Sequence, residues 1–367
     1  MRHILPLVGK RLLVMRLSRS FVIASFVLGS LAVTGCDKSS SGGAGGGATG
    51  EGGAAASEGK TKVAFLLATL QEERYQKDKK YFEEKATALG LAPFTLSADN
   101  DNGKQLSQLE DALSRGAKVI VVQPTDSTAA ASYVSKAHAK GAKVVSYDRS
   151  IKSDDLDVYV SHDAFKVGVI EAEEAVKATG GKGNYVLLDG QSGHSVVAEI
   201  DRGYMSVLKP LIDKGDIKIV VQRNHDSWSP EQSLKTMEDA IAKTKGDIQA
   251  VLANNSGMAR GAVQAIQAGN LGAKKIFIAG SDADAANINS VCDGKQTIEV
   301  LKDIKPLAEK AAEVALALSQ NKPLVGTLPD VKPPTFAIGV HLVTKDNAKA
   351  MIVDSGFHPA KAVPACK

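Results

Sequence analysis

Residues 118–149 read KVIVVQPTDSTAAASYVSKAHAKGAKVVSYDR. Lys118–Val122 is a lysine followed by four β-branched residues, the length and make-up of a buried strand. Lys143–Ser146 has the same character, and Ser127–Lys140 between them is long enough for a helix. Strand, helix and strand in this spacing form a βαβ unit. Its two strands run parallel, because the helix carries the chain back to the starting end of the sheet.

The unit repeats in both directions. Toward the N-terminus, Lys62–Ala68 (KVAFLLA) and Ala92–Ser97 read as strands. Glu73–Leu89 and Gln105–Ser114 read as helices, the second stopped by Gly116. Asp157–Ser161 is a fifth strand. The pattern then starts again, with strands at Asn184–Leu188, Ile217–Gln222, Ala250–Ala253, Lys275–Ala279 and Thr297–Leu301. Helices over Ala198–Lys214, Pro230–Lys243, Gly257–Gly269, Ala285–Val291 and Pro306–Gln320 alternate with them. Ser229 is the expected N-cap of the helix that opens at Pro230. The expected fold class is α/β: two Rossmann-like units of about 100–140 residues, each around a parallel sheet.

Open parallel sheets bind ligands outside the carboxyl ends of their strands. There the chain carries Glu72-Glu73-Arg74-Tyr75, Gln123-Pro124-Thr125-Asp126, Tyr147-Asp148-Arg149, Asn254-Asn255-Ser256, Ser281-Asp282-Ala283-Asp284 and Lys302. One aspartate after a strand is often only a helix cap. Charged and amide groups recurring at the same end in both halves point instead to a shared site. Arg74, Asp148, Arg149, Asn255, Asp282 and Lys302 are the kinds of group that pair with vicinal hydroxyls, carboxylates accepting and guanidinium groups donating in fixed geometry. Trp228, the single tryptophan, sits in a loop before a helix. It is either a flat platform under a ligand or an ordinary core residue.

Other chemistries lack their motifs. The seven histidines form neither HExxH nor a Cys/His cluster, and there is no phosphate loop or nucleophile elbow. Nothing pairs Asp148, Asp282 and Asp284 for acid–base work. A binding protein is expected, with no catalytic residue, metal or cofactor. The net charge of +4, much of it N-terminal, implies no nucleic-acid partner.

The N-terminus reads as an export signal. Arg2, Lys10, Arg11, Arg16 and Arg19 precede the apolar Phe21–Val33, which is shorter than the roughly 20 residues a membrane span needs. Val33-Thr34-Gly35-Cys36 resembles a bacterial lipobox, so 1–36 is the expected signal and Cys36 the lipidated residue. Residues 37–60, rich in Gly, Ser and Ala, read as a flexible tether. The expected location is the periplasmic or outer face of a membrane, with a lipid anchor as the only membrane contact. Cys292 and Cys366 are left, either paired in this oxidising setting or as two separate thiols.

Several spaced segments carry a resemblance. They are Glu73–Asp78, Gln108–Arg115, Tyr147-Asp148-Arg149, Asp163–Gly168, Val207–Pro210, Trp228–Glu231, Ala253–Asn255, Asp282-Ala283-Asp284 and Gly356-Phe357-His358. Through them the chain, from about Lys62 to His358, resembles the D-xylose-binding proteins of bacterial ABC importers, within the pentose/hexose periplasmic-binding family. The resemblance implies a type I periplasmic-binding fold of two lobes hinged by three crossovers. The N-terminal lobe would be 61–163 completed by about 303–334, and the C-terminal lobe 164–302 completed by about 335–367. It implies a sugar cleft lined by Arg74, Asp148, Arg149, Trp228, Asn255, Asp282 and Lys302. It also implies a monosaccharide ligand (xylose or a related aldose), an ABC permease partner and a monomer.

Two departures bear on the ligand. The family has tryptophan where this chain has Tyr75, a smaller face that gains a hydroxyl. Its loop near 190–198 carries adjacent asparagines, where this chain reads GQSGHSVV from Gly190 to Val197. Val196 and Val197 cannot replace amide hydrogen bonds. Either Ser192, His194 or Ser195 compensates, or the ligand is another small polar molecule such as an autoinducer, polyol or nucleoside, or the chain serves as a ligand carrier for a chemoreceptor. Tyr75 and His194 complete the expected ligand-binding set.

Overall fold

The computed structural model describes residues 59–328 and 331–366. The export segment, Cys36 and residues 37–58 of the tether lie outside them. Among the described residues no helix is long and apolar enough to cross a membrane.

The chain opens with β1 (Lys62–Leu67), α1 (Glu73–Ala88), β2 (Ala92–Ser97), α2 (Asn102–Ser114), β3 (Val119–Val122), α3 (Ala131–Ala139), β4 (Lys143–Tyr147) and β5 (Val158–His162). There follow α4 (Ala164–Thr179), β6 (Gly183–Asp189), α5 (Ser195–Asp213), β7 (Ile217–Asn224), α6 (Pro230–Thr244), β8 (Ala250–Ala253) and α7 (Ser256–Ala268). It closes with β9 (Phe277–Ser281), α8 (Ala285–Cys292), β10 (Ile298–Lys302), α9 (Ile304–Ser319), β11 (Thr335–Ile338) and β12 (Val340–Thr344). One sheet has the order β11-β5-β4-β3-β1-β2, the other β12-β10-β9-β8-β6-β7. Every pairing is parallel except that of β12 with β10.

Each sheet is covered on both faces, which is why central strands such as β1, β3 and β8 are apolar almost throughout rather than alternating, while the edge strand β7 carries Lys218, Gln222 and Arg223. Val63, Phe65 and Leu67 of β1 join a cluster with α1 and α9, while Ala64 and Leu66 join another with α2 and α3. Caps mark where the helices begin. Asp101 Oδ1 accepts from Lys104 N, so α2 starts three residues before the apolar pattern indicates. Asp126 Oδ1 instead accepts from Thr128 N and Ala129 N at 2.8 and 2.7 Å, building a turn that delays α3 to Ala131.

Three findings differ from or complete the sequence reading. A helix, α4, fills the interval between β5 and β6 and packs on α5. The third crossover falls later than the expected boundary near 335. Thr335–Ile338 pairs with β5 in the first sheet and places Phe336 in the first lobe's core, so the chain changes lobe at Gly339. Cys292 and Cys366 are joined as a disulfide with Cα atoms 5.3 Å apart, fastening the C-terminal segment to α8.

Candidate functional site

The carboxyl ends of both sheets face one cleft. Arg74 on the first turn of α1 points its guanidinium between the lobes. Its Nη1 lies 3.2 Å from Asp148 Oδ1 in its own lobe and 3.4 Å from Asp282 Oδ1 in the other. Its Nε and Nη2 are held by Asp78, a buried carboxylate that also accepts from the Tyr147 hydroxyl. Lys302, the last residue of β10, donates to Asp282 at 3.0 Å. Asp148 follows β4 with φ of +63°, tolerable for aspartate, and its carbonyl accepts from Tyr159 and Ser161 hydroxyls. Burial raises the Asp148 carboxyl, but Arg74 and Arg149 outweigh burial and hold it well below the usual carboxylate range. The anionic form is the one that accepts from ligand hydroxyls.

Arg149 is 1% exposed. It donates through Nη1 to Pro124 O and through Nη2 to the Tyr75 hydroxyl, both at 3.3 Å. Tyr75 in turn donates to Asp148 Oδ2 at 3.3 Å. Its extra hydroxyl thus links the two charged residues that follow β4. Asn255 caps α7 by accepting from Met258 N through Oδ1, which leaves its amide NH2 as a donor.

The Trp228 indole lines the cleft over Gly190, where any Cβ would lie 2.5 Å from the ring. Indole nitrogen can only donate, and Nε1 lies 2.9 Å from His194 Nδ1. His194 Nδ1 is therefore the acceptor, and Nε2 carries the proton that goes to Thr125 O at 2.8 Å. Both ring nitrogens are spent, and His194 is not among the residues lining the cleft. This corrects its expected place in the ligand set: it pins Trp228 and docks the loop 190–195 on the first lobe. Ser195 does the same by accepting from Ser150 N at 2.7 Å.

The cleft is lined by Arg74, Tyr75, Asp148, Arg149, Trp228, Asn255, Asp282 and Lys302, and also by residues outside the expected ligand-binding set. Those are Glu72, Ser161, His162, Ala164 and Val196. Three buried polar atoms in this lining have no protein partner: Glu72 Oε2, Arg149 Nε and His162 Nδ1. His162 Nε2 donates to Asp303 O at 3.0 Å, so Nδ1 is a bare acceptor. Glu72 adjoins Arg74 and is visible as a strand-end residue. Ser161 and His162 end β5, and only the docking of the lobes distinguishes them from sheet core. The cavity is narrow, about 20 Å³, little more than one water needs.

Burial pushes the imidazoles of His162 and His194 down to about 3, helped by the charges of Arg74 and Arg149 respectively. An unfolded histidine takes up a proton near pH 6.5. The stability that depends on their neutral form is therefore complete above about pH 6.5 and is lost as pH falls toward 3. Asp284 and Glu299, raised by burial to about 7 and about 8, act in the opposite direction. The test is thus a difference: between pH 6.5 and 5, the melting temperature of His194→Gln should depend on pH with less acid loss than wild type. Parallel curves would contradict the neutral, proton-excluding role of His194.

Two α/β lobes that together build one polar cleft define a hinged small-molecule-binding protein. The family model described as periplasmic binding protein domain matches residues 63–323, and the chain belongs to the periplasmic binding protein family. The D-xylose-binding periplasmic protein of Haemophilus influenzae is 36% identical over 308 residues, 82% of this chain and 92% of that protein. The D-xylose-binding periplasmic protein of Escherichia coli is 37% identical over 305 residues, 82% of this chain and 91% of that one. Among solved structures, a carbohydrate transporter solute-binding protein from Chloroflexus aurantiacus in complex with D-glucose is 28% identical with a TM-score of 0.72, covering 83% of this chain and 98% of that one.

Proposed function

We propose that the chain is the solute-binding component of an ABC sugar importer, capturing a monosaccharide, D-xylose or a related aldose, between its lobes. The observation that carries this reading is the convergence of Arg74, Asp148, Arg149, Asn255, Asp282 and Lys302 with one indole in a single interlobe cleft. Carboxylates accept from sugar hydroxyls. Arg149 Nε and the Asn255 amide donate to them. Trp228 covers the C–H face. The relatives named for D-xylose support a pentose. The lipobox sequence supports export and a lipid anchor at Cys36, from which the monomeric body presents its sugar to a membrane permease. A pyranose exceeds the present space, so the reading includes hinge opening: ligand hydroxyls replace the direct Arg74–Asp282 contact between lobes.

Calorimetry against aldopentoses, hexoses, polyols and nucleosides tests the reading. D-xylose or another aldose should bind tightest, and a panel in which only a nucleoside or no aldose binds rejects it. Binding should also change the emission of Trp228, the sole tryptophan. An unchanged spectrum during calorimetrically proven binding, with Trp228→Phe binding normally, would remove the indole from the ligand face.

Val196 favours a second reading of the specificity. It lines the cleft where an amide is expected, so a hydroxyl facing it loses a partner, about 1–3 kcal/mol or roughly 5- to 150-fold in affinity. A sugar with hydrogen or methyl at that position then binds better. Val196→Asn should gain D-xylose affinity and lose the deoxy analogue. If wild type already prefers D-xylose over every deoxy sugar, this second reading is wrong.

A further inference from the structure

Asp282 and Ala283 are consecutive L-residues with φ of +105° and +61°. Such backbone persists only where its surroundings hold it. Three amides of this turn are held from within the second lobe. Asp282 N donates to Val300 O at 3.0 Å, Ala283 N to Glu299 Oε2 at 3.0 Å, and Asp284 N to Ser256 Oγ at 3.1 Å. The carbonyl of Ala283 is held from the far end of the chain, by His358 Nε2 at 2.8 Å. A carbonyl only accepts, so Nε2 carries the proton and Nδ1 is a bare acceptor. Nδ1 lies 3.2 Å from Lys77 Nζ and 3.6 Å from Glu73 Oε1, both on α1 in the first lobe.

One buried imidazole, 2% exposed, therefore touches the turn that carries Asp282 and the helix that carries Arg74. Those two side chains meet at 3.4 Å in the cleft. Glu73 reinforces the contact by accepting from Ala285 N at 3.2 Å, and Lys77 Nζ sits 4.5 Å above the Phe357 ring. The segment bearing His358 is fastened to α8 by the Cys292–Cys366 disulfide. We propose that His358 is a positioning residue for the cleft: it fixes the Asp282–Ala283 turn and braces it against α1, setting the reach of Asp282 toward Arg74 and the ligand. The effect on ligand affinity rests on the sugar-binding reading; the fixing of the turn does not.

The test compares His358→Ala with His358→Gln in the full chain, since glutamine Nε2 donates much as imidazole Nε2 does. Hydrogen exchange without sugar reads the brace directly. The amides of residues 282–285 should exchange roughly tenfold faster in His358→Ala and near the wild-type rate in His358→Gln, while β3 and β8 stay protected. Calorimetry with the tightest-binding aldose should give a roughly tenfold or greater weakening in His358→Ala, recovered to within about threefold in His358→Gln. Unchanged exchange overturns the proposal whatever the protein binds. Faster exchange with unchanged affinity overturns the link from turn to ligand, as does failure of glutamine to rescue. If no aldose binds wild type, the sugar reading fails and the exchange result alone decides the brace. Should His358→Ala not fold, His358→Asn, which has the amide without the reach, takes its place under the same criteria.

Discussion

Asp282→Ala is expected to abolish most sugar binding while the protein stays folded. Asp282 is 8% exposed, and its carboxylate sits against Lys302 at 3.0 Å and Arg74 at 3.4 Å. Its removal takes away a charged acceptor for ligand hydroxyls and leaves two buried cations with one fewer counter-charge. Losing one member of a desolvated, charge-assisted set costs about 2–4 kcal/mol, roughly 30- to 1000-fold in affinity. Asp282→Asn separates charge from backbone, because asparagine tolerates positive φ better than alanine. If charge is the cause, both variants lose affinity together. Calorimetry on protein shown to be folded by circular dichroism checks the result, and either variant binding within about twofold of wild type would remove the Asp282 charge from the site.

Gly168→Ala is expected to destabilise the second lobe strongly. In an exposed helix this change normally stabilises by roughly 1 kcal/mol, because alanine is the better helix former. Here α4 crosses α5 so closely that a Cβ on Gly168 would collide with the backbone carbonyl of Ile200. The reciprocal Gly203 faces the backbone carbonyl of Phe165 in the same way. A backbone atom cannot rotate aside, so the helices must part. That separation opens a core containing Val167, Ala172, Ile200 and Tyr204, all fully buried. Overpacking against backbone should cost about 3 kcal/mol or more, outweighing the propensity gain and reversing its sign. Urea unfolding gives the answer: a lower midpoint at unchanged slope is expected. A variant as stable as wild type would mean that the two helices can separate freely.

The strand-and-helix alternation was legible in local sequence because each strand of a doubly covered parallel sheet is a short apolar run. VIVV of β3 is buried at all four positions and AVLA of β8 likewise. The polar groups at the strand ends were legible for a related reason. Parallel topology sends every carboxyl end to one edge, so Arg74, Asp148, Arg149, Asn255, Asp282 and Lys302 must share that edge wherever the loops go.

Other features depend on segments far apart in the chain. Thr335–Ile338 and Val340–Thr344 are similar short strands on either side of Gly339, and their local pattern cannot tell which sheet each will join. The open edges beside β5 and β10 decide that. His194 read as a substitute ligand for the missing amides, and became a brace once the folded loops brought Trp228 Nε1 and Thr125 O to its two nitrogens. Glu72 Oε2 and His162 Nδ1 face the cleft unpaired because the two lobes close over them without supplying a partner. Propensity and periodicity are carried by neighbouring residues and so can be read along the chain. The assignment of a hydrogen-bonding atom to a protein partner or to the cleft arises only when elements from both lobes meet in space, and no local pattern encodes it.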